Sequence, residues 1–254
     1  MKFCSFFLLN YCLIFSIYCE VPDGYKLVWS DEFEDNSLDL TKWNYDIGGE
    51  PQWGNNELQY YTNRVENVYV SSGLLHIRAK KESYKDHEYT SGRLVTRNKF
   101  DFKYGYVEAK VSLPGGKGIW PAFWMLAAND LDWPICGEID IIEAVNTENI
   151  IYSTCHWSSE GGHAQYGEGT DSFDLTQFHI YSMLWDENNI KIAVDGKTHF
   201  DILIKDGIGD TTAFHSNFYF LINIAVGGDW PGFEIDDNQF PNEMQVDYIR
   251  VYKP

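Results

Sequence analysis

The sequence predicts an all-β protein, a sandwich of two antiparallel sheets, and three observations carry that reading. Apolar and polar residues alternate in short runs along the whole chain, which is the period of half-buried strands. Gly, Asn or Asp separates nearly all of these runs, as tight antiparallel connections require. No long stretch shows the 3.6-residue period of an amphipathic helix.

The expected strands begin, in chain order, with Tyr25–Ser30, Val65–Val70 and Leu74–Ala79. In Tyr104–Ser112, Val107, Ala109 and Val111 share one face, while Tyr106, Glu108 and Lys110 share the other. One side should therefore be core and the other wet. In Ile119–Leu126, Trp120, Ala122 and Trp124 share a face, with a small residue between two indoles. That leaves a shallow platform, unless both indoles belong to the core. Ile150–His156, Ile180–Trp185 and Ile190–Val194 follow, and Asp195-Gly196 is a two-residue hairpin signal leading into Lys197–Phe200. Phe218–Val226 and Gln245–Tyr252 complete the set. Residues 20–254 suit a single domain, since sandwiches of about 200–250 residues are common.

Residues 1–19 stand apart. Lys2 precedes an uncharged apolar run from Phe3 to Cys19, the pattern of a secretory signal peptide. Its removal takes away Lys2 and no acid, so 19 basic against 38 acidic residues become 18 against 38, and the net charge moves from −19 to −20. Such a chain repels phosphate backbones, which argues against nucleic acid as a partner and disfavours sulfated polymers. A neutral polymer fits better. Aromatic residues make up 17% of the chain, with nine Trp and seventeen Tyr, and their faces are those on which neutral sugar rings stack. No second run of membrane-spanning length follows, so no membrane attachment is expected once the leader is gone. Cys4, Cys12 and Cys19 belong to the leader. Cys136 and Cys155 remain, a pair that an oxidising compartment could join. A hairpin turning near residue 147 would instead set Cys136 opposite residue 158 or so. No Asn-x-Ser/Thr sequon occurs.

The most unusual segment is Gly137-Glu138-Ile139-Asp140-Ile141-Ile142-Glu143, three carboxylates in six residues with no Lys or Arg beside them. Alternation puts Glu138 and Asp140 on one face, whereas Glu143 in a regular strand would face away. One extra residue, at Ile141 or Ile142, returns it to the acidic face as a β-bulge. Like charges held this close destabilise a fold, so the cluster points to chemistry rather than to a solvated strand face. Two carboxylates flanking a scissile bond are the working parts of most glycoside hydrolases, one as nucleophile and one as acid and then base. Asp140, short and central, would share a proton or hydrogen bond with a glutamate and couple its titration to the pair. A hard-cation site is the alternative, although such cations favour ligands wrapped from a loop.

Six segments in order, Trp53–Tyr61, Tyr89–Thr96, Phe102–Ala109, Gly118–Leu126, Gly137–Glu143 and Asn223–Pro231, resemble glycoside hydrolase family 16 in its laminarinase-like branch. The resemblance spans about residues 25–252 and implies a β-jelly-roll sandwich with a concave sugar-binding cleft. By motif match it implies Glu138 as nucleophile, Asp140 as assisting carboxylate and Glu143 as general acid/base. It assigns Asn55, Arg93, Trp120, Trp124, His156 and Trp230 to substrate, with Glu57 and Gln59 beside them. Arg93 has a second reading as a sheet-stabilising ion pair. Relatives of this kind also carry a structural Ca²⁺, whose pattern here falls on Glu34, the Gly73 carbonyl and Asp247; catalysis itself calls for no cofactor. The expected protein is a secreted, monomeric endo-β-1,3-glucanase acting with retention on β-glucan, including mixed β-1,3/1,4 polymers, with no carbohydrate-binding module after the last strand. A transglycosylase and a non-catalytic glucan-recognition protein are the rival readings.

Overall fold

The computed structural model describes residues 21–205 and 210–254, so the expected leader lies outside the described residues. The strands begin with β1 (Lys26–Asp31), β2 (Asn44–Tyr45), β3 (Gln59–Tyr61), β4 (Val68–Ser71), β5 (Leu74–Tyr84) and β6 (His87–Ser91). They continue as β7 (Arg93–Val95), β8 (Gly105–Ser112), β9 (Ile119–Ala127), β10 (Glu138–Glu143), β11 (Tyr152–Ser159) and β12 (Gly162–Gly169). The last are β13 (His179–Trp185), β14 (Asn189–Val194), β15 (Lys197–Leu203), β16 (Phe218–Val226) and β17 (Asn242–Lys253). Two short 3₁₀ turns, Thr211–His215 and Asp237–Gln239, are the helical elements among the described residues.

These strands form two layers. One sheet of ten strands runs β15-β14-β13-β8-β17-β5-β6-β3, with β1 added on β17 and β4 on β5. The other runs β12-β11-β10-β9-β16-β7-β2. The core lies between them: Val107, Ala109 and Val111 from β8 meet Phe123, Met125, Ile139 and Ile222 from the seven-stranded sheet, all buried. The sandwich reading holds, with one departure: β3 pairs β6 in parallel, Gln59 opposite Tyr89.

Two further expectations need correction. Val65–Val70 shortens to β4 because the Asn67 and Val68 amides both bond the Arg64 carbonyl, which makes a turn of the first residues. The outer face of β8 is not uniformly wet, since Tyr106 is only 1% exposed. Its ring meets Tyr252 edge-on at 6.1 Å, and next to it Arg250 lies 3.7 Å over the Tyr248 ring. Flat rings and guanidinium stems cover one another there.

The hairpin of β10 and β11 positions the site. Glu138 stands opposite His156 and Ile139 opposite Cys155, which carries Cys136 toward residue 158 as the turn near 147 implied. Cys136 and Cys155 are both buried and unpaired. On β9 the alternation works as expected: Ile119, Phe123 and Met125 enter the core, while Trp120 and Trp124 remain half-buried on the other face.

Candidate active site

The bulge falls where the acids need it. Against β9, Asp140 pairs Trp124 and Ile142 pairs Phe123, so Ile141 is the extra residue. Ile141 and Ile142 are then both fully buried, and Glu143 returns to the face of Glu138 and Asp140. All three acids line a single cleft of about 890 Å³ together with Trp120, Trp124, Asn55, Arg93, His156 and Trp230. The cleft collects residues from β12 at one edge of the sheet to Asp46, just beyond β2, at the other.

The two glutamates are held by neutral donors. The Trp133 indole N–H donates to Glu138 Oε2 at 3.0 Å, and the Trp120 indole N–H donates to Glu143 Oε1 at 2.9 Å. His156 Nε2 stands 3.3 Å from Asp140 Oδ2 and 3.9 Å from Glu138 Oε1. Its other nitrogen, Nδ1, is 2.9 Å from His163 Nε2. These three side-chain positions of Glu138, Asp140 and His156 would also admit a metal ion, but their bonds to Trp133 and to each other already suit the acid chemistry.

Electrostatics follows from burial without a cation. Burial first, then the charge of Asp140, pushes Glu138 up to about 8. Burial lifts Asp140 to about 8 as well, and the two share a proton. Asp140 Oδ2 is buried with no hydrogen-bond partner, whereas Glu138 accepts the Trp133 N–H, so of the two Glu138 is the better solvated as an anion. Glu143 is driven well above the usual carboxylate range by burial and then by Asp140 and Glu138. It is therefore a carboxylic acid at neutral pH. His156 is lowered, chiefly by burial, and sits there neutral.

The sugar-facing residues divide by function. Trp120 meets Trp230 edge-on at 5.4 Å, and Trp230 is 42% exposed, leaving an open ring face. Arg93 lines the cleft between the Trp53 and Trp124 rings, at 4.6 and 5.0 Å, and it makes the expected ion pair, with Asp46 at 3.3 Å. Gln59 is fully buried and does not line the cleft; its amide donates to Glu57 at 2.6 Å and its oxygen accepts from the Val226 amide at 2.7 Å. Glu57 also accepts from Asn55 and Tyr61, and Tyr61 accepts from Asn223, which receives the Trp124 N–H. Gln59 thus braces the loop and the platform from beneath, whereas Glu57 braces them and also lines the cleft.

Sequence reasoning missed Trp133, His163, Trp53, Tyr219 and Arg97 in the cleft wall. Trp133 carried a usable signal, an indole five residues before the first acid; His163 lies on a polar edge strand with none. The expected calcium ligands, Glu34, Gly73 and Asp247, lie outside the cleft. Asp247 Oδ2 is 2.6 Å from Lys110 Nζ, and Glu34 is exposed.

A family model described as glycosyl hydrolases family 16 matches residues 55–250. The β-glucanase of Rhodothermus marinus is 40% identical, over 90% of this chain and 85% of that protein. The clotting factor G alpha subunit of Tachypleus tridentatus is 41% identical over 93% of this chain, which spans only 35% of that subunit. The solved laminarinase of Rhodothermus marinus superimposes with a TM-score of 0.83 at 39% identity, covering 90% of this chain and 97% of that one.

Proposed function

Because the chain belongs to glycosyl hydrolase family 16, we propose that it is a secreted endo-β-1,3-glucanase that hydrolyses β-glucan with retention of configuration. One observation carries the reading: a bulged strand turns two glutamates and an aspartate into a groove walled by Trp120, Trp124, Trp133 and Trp230, and the two glutamates accept from indole N–H groups rather than from a Lys or Arg. Indole faces bind neutral rings, and buried carboxylates of unequal proton affinity divide the labour of acid and nucleophile.

Glu138, ionised and solvated by Trp133, attacks the anomeric carbon from one side of the ring. Glu143 gives its proton to the departing glycosidic oxygen, so the leaving sugar departs neutral and Glu143 becomes an anion. The product of this step is an ester between Glu138 and the sugar. Glu143 then takes a proton from a water that attacks the same carbon, releasing Glu138 as carboxylate. Two inversions restore the starting configuration, which requires carboxyl groups about 5–5.5 Å apart. Asp140, hydrogen-bonded to Glu138, shares a proton with it and so takes up part of the change in charge as the ester forms and breaks.

The test is the product formed from laminarin, followed by NMR from the first turnover. Appearance of the β-anomer before mutarotation supports retention; initial α product, or binding with no new reducing ends, would overturn it. Mixed-linkage glucan assayed beside laminarin sets the linkage preference. We further propose a structural Ca²⁺ at Glu34, the Gly73 carbonyl and Asp247: chelation should lower the melting temperature without loss of activity in the cold, and an unchanged melting temperature would refute it.

A further inference from the structure

The bulge that sets Glu143 leaves one strand with a surplus of backbone, and the residue opposite it is Ser153. On β11 the pairing jumps from Asp140 opposite Thr154 to Glu143 opposite Tyr152. Ser153 alone therefore faces both Ile141 and Ile142. Its side chain points into the core with Cys155 and Trp157, not into the cleft, and it is fully buried. The hydroxyl donates to the Ile141 carbonyl at 2.8 Å. A bulged residue loses its place in the ladder, and a buried carbonyl without a partner is costly. Ser153 supplies that partner.

A second link comes from the opposite sheet. His199 on β15 places Nε2 2.9 Å from Ser153 Oγ. The single hydroxyl hydrogen is already given to Ile141, so Ser153 Oγ accepts here and His199 carries its hydrogen on Nε2. Its Nδ1 is buried with no partner, which leaves this ring one hydrogen bond, to Ser153. Burial, against Glu168, holds its pKa down to about 4, so the ring stays neutral. A chain of two hydrogen bonds thus joins one sheet to the irregular backbone that precedes Glu143 by two residues.

We infer that Ser153 and His199 are positioning residues that clamp the Ile141 bulge from beneath and so hold Glu143 in register with Glu138. The inference rests on the reading of Glu143 as general acid/base. Neither residue lines the cleft, so neither contributes to substrate affinity directly.

The experiment compares Ser153→Ala, His199→Leu and His199→Gln with Glu143→Gln on laminarin and on an aryl β-glucoside whose leaving group needs no proton. Ser153→Ala and His199→Leu should lower kcat on laminarin about 10- to 100-fold, the scale of a slightly misplaced catalytic group, with KM within about twofold. The release of the activated aryl group in the first turnover should change little. His199→Gln, which keeps an N–H donor, should recover most of the loss. Equal losses on both substrates, or a raised KM at constant kcat, would overturn the clamp. If Ser153→Ala does not fold, the His199→Leu and His199→Gln pair decides alone, recovery by Gln supporting the clamp and equal activity of the two refuting it. Glu143→Gln separates the premise: full activity there removes the acid/base reading, whereas an inactive Glu143→Gln beside an unimpaired Ser153→Ala removes only the clamp.

Discussion

Two groups of carboxylates on opposite sheets of this sandwich have been given opposite surroundings. In the cleft, Glu138 and Glu143 receive indole N–H groups, Asp140 faces a neutral histidine, and burial raises all three. On the ten-stranded sheet, Glu243 receives Arg78 at 2.7 Å, His76 at 2.8 Å and Tyr69 at 2.9 Å. Burial alone would raise it, but the bonds from His76, Gln245, Tyr69 and Arg78 together pull it down to about 2. Glu32 is treated alike, lowered first by its two bonds to Arg250 at 3.0 and 2.7 Å. The residue type is the same. A guanidinium makes a permanent anion that holds strands together, while its exclusion makes a group able to give and take protons.

Removing the cleft acids breaks that comparison from its active side. Glu138→Ala should leave no measurable release of reducing ends from laminarin while circular dichroism still reports a folded sandwich. Glu143→Ala should lose roughly 10²–10⁴-fold in kcat, the usual worth of a general acid. Azide should partly rescue it and give a β-glycosyl azide, identified by NMR. Asp140→Asn should cost less, roughly tenfold, the worth of about one pKa unit.

Stability sharpens the contrast, because the two groups differ in sign. The folded pKa of Glu143 is raised, so the unfolded chain ionises first and the fold loses stability as pH climbs above about 4.5. Glu143→Gln should melt above the parent protein at pH 8 and alongside it at pH 4, read by calorimetry. For Glu243 the folded pKa is depressed, so its contribution is complete above about 4.5 and disappears as pH falls toward 2. Glu243→Gln should cost about 1–2 kcal/mol at pH 7 after solvent screening, a fall of roughly 3–6 °C. That difference should vanish near pH 2.

Much of this arrangement was legible in the chain. Strict alternation exposed the strands that have one wet and one dry face, such as β9, and the broken alternation at Ile141 exposed the bulge. Strands whose ladder is satisfied without an apolar face left no such trace: Gly162–Gly169 is almost wholly polar and serves as the edge strand β12. Tyr106 misled because a phenol reads as wet when alone, and here Tyr252 shields it. In the site, the acids announced themselves by like charge, but Gln59 resembled a sugar ligand until its two buried bonds were seen. His163 and Arg97 reach the cleft through tertiary pairing, for which sequence spacing carries no signal.

The groove runs across its sheet from Gln165 on β12 to Arg93 on β7, and reaches Asp46 beyond β2. A trough open along its length asks nothing of a polymer's ends, only of a stretch that can lie across it. A long glucan in solution would thus be cut first near its middle as often as anywhere else. The viscosity of such a solution should collapse while very few new chain ends have yet appeared, and a swollen glucan gel should soften before it releases soluble sugar.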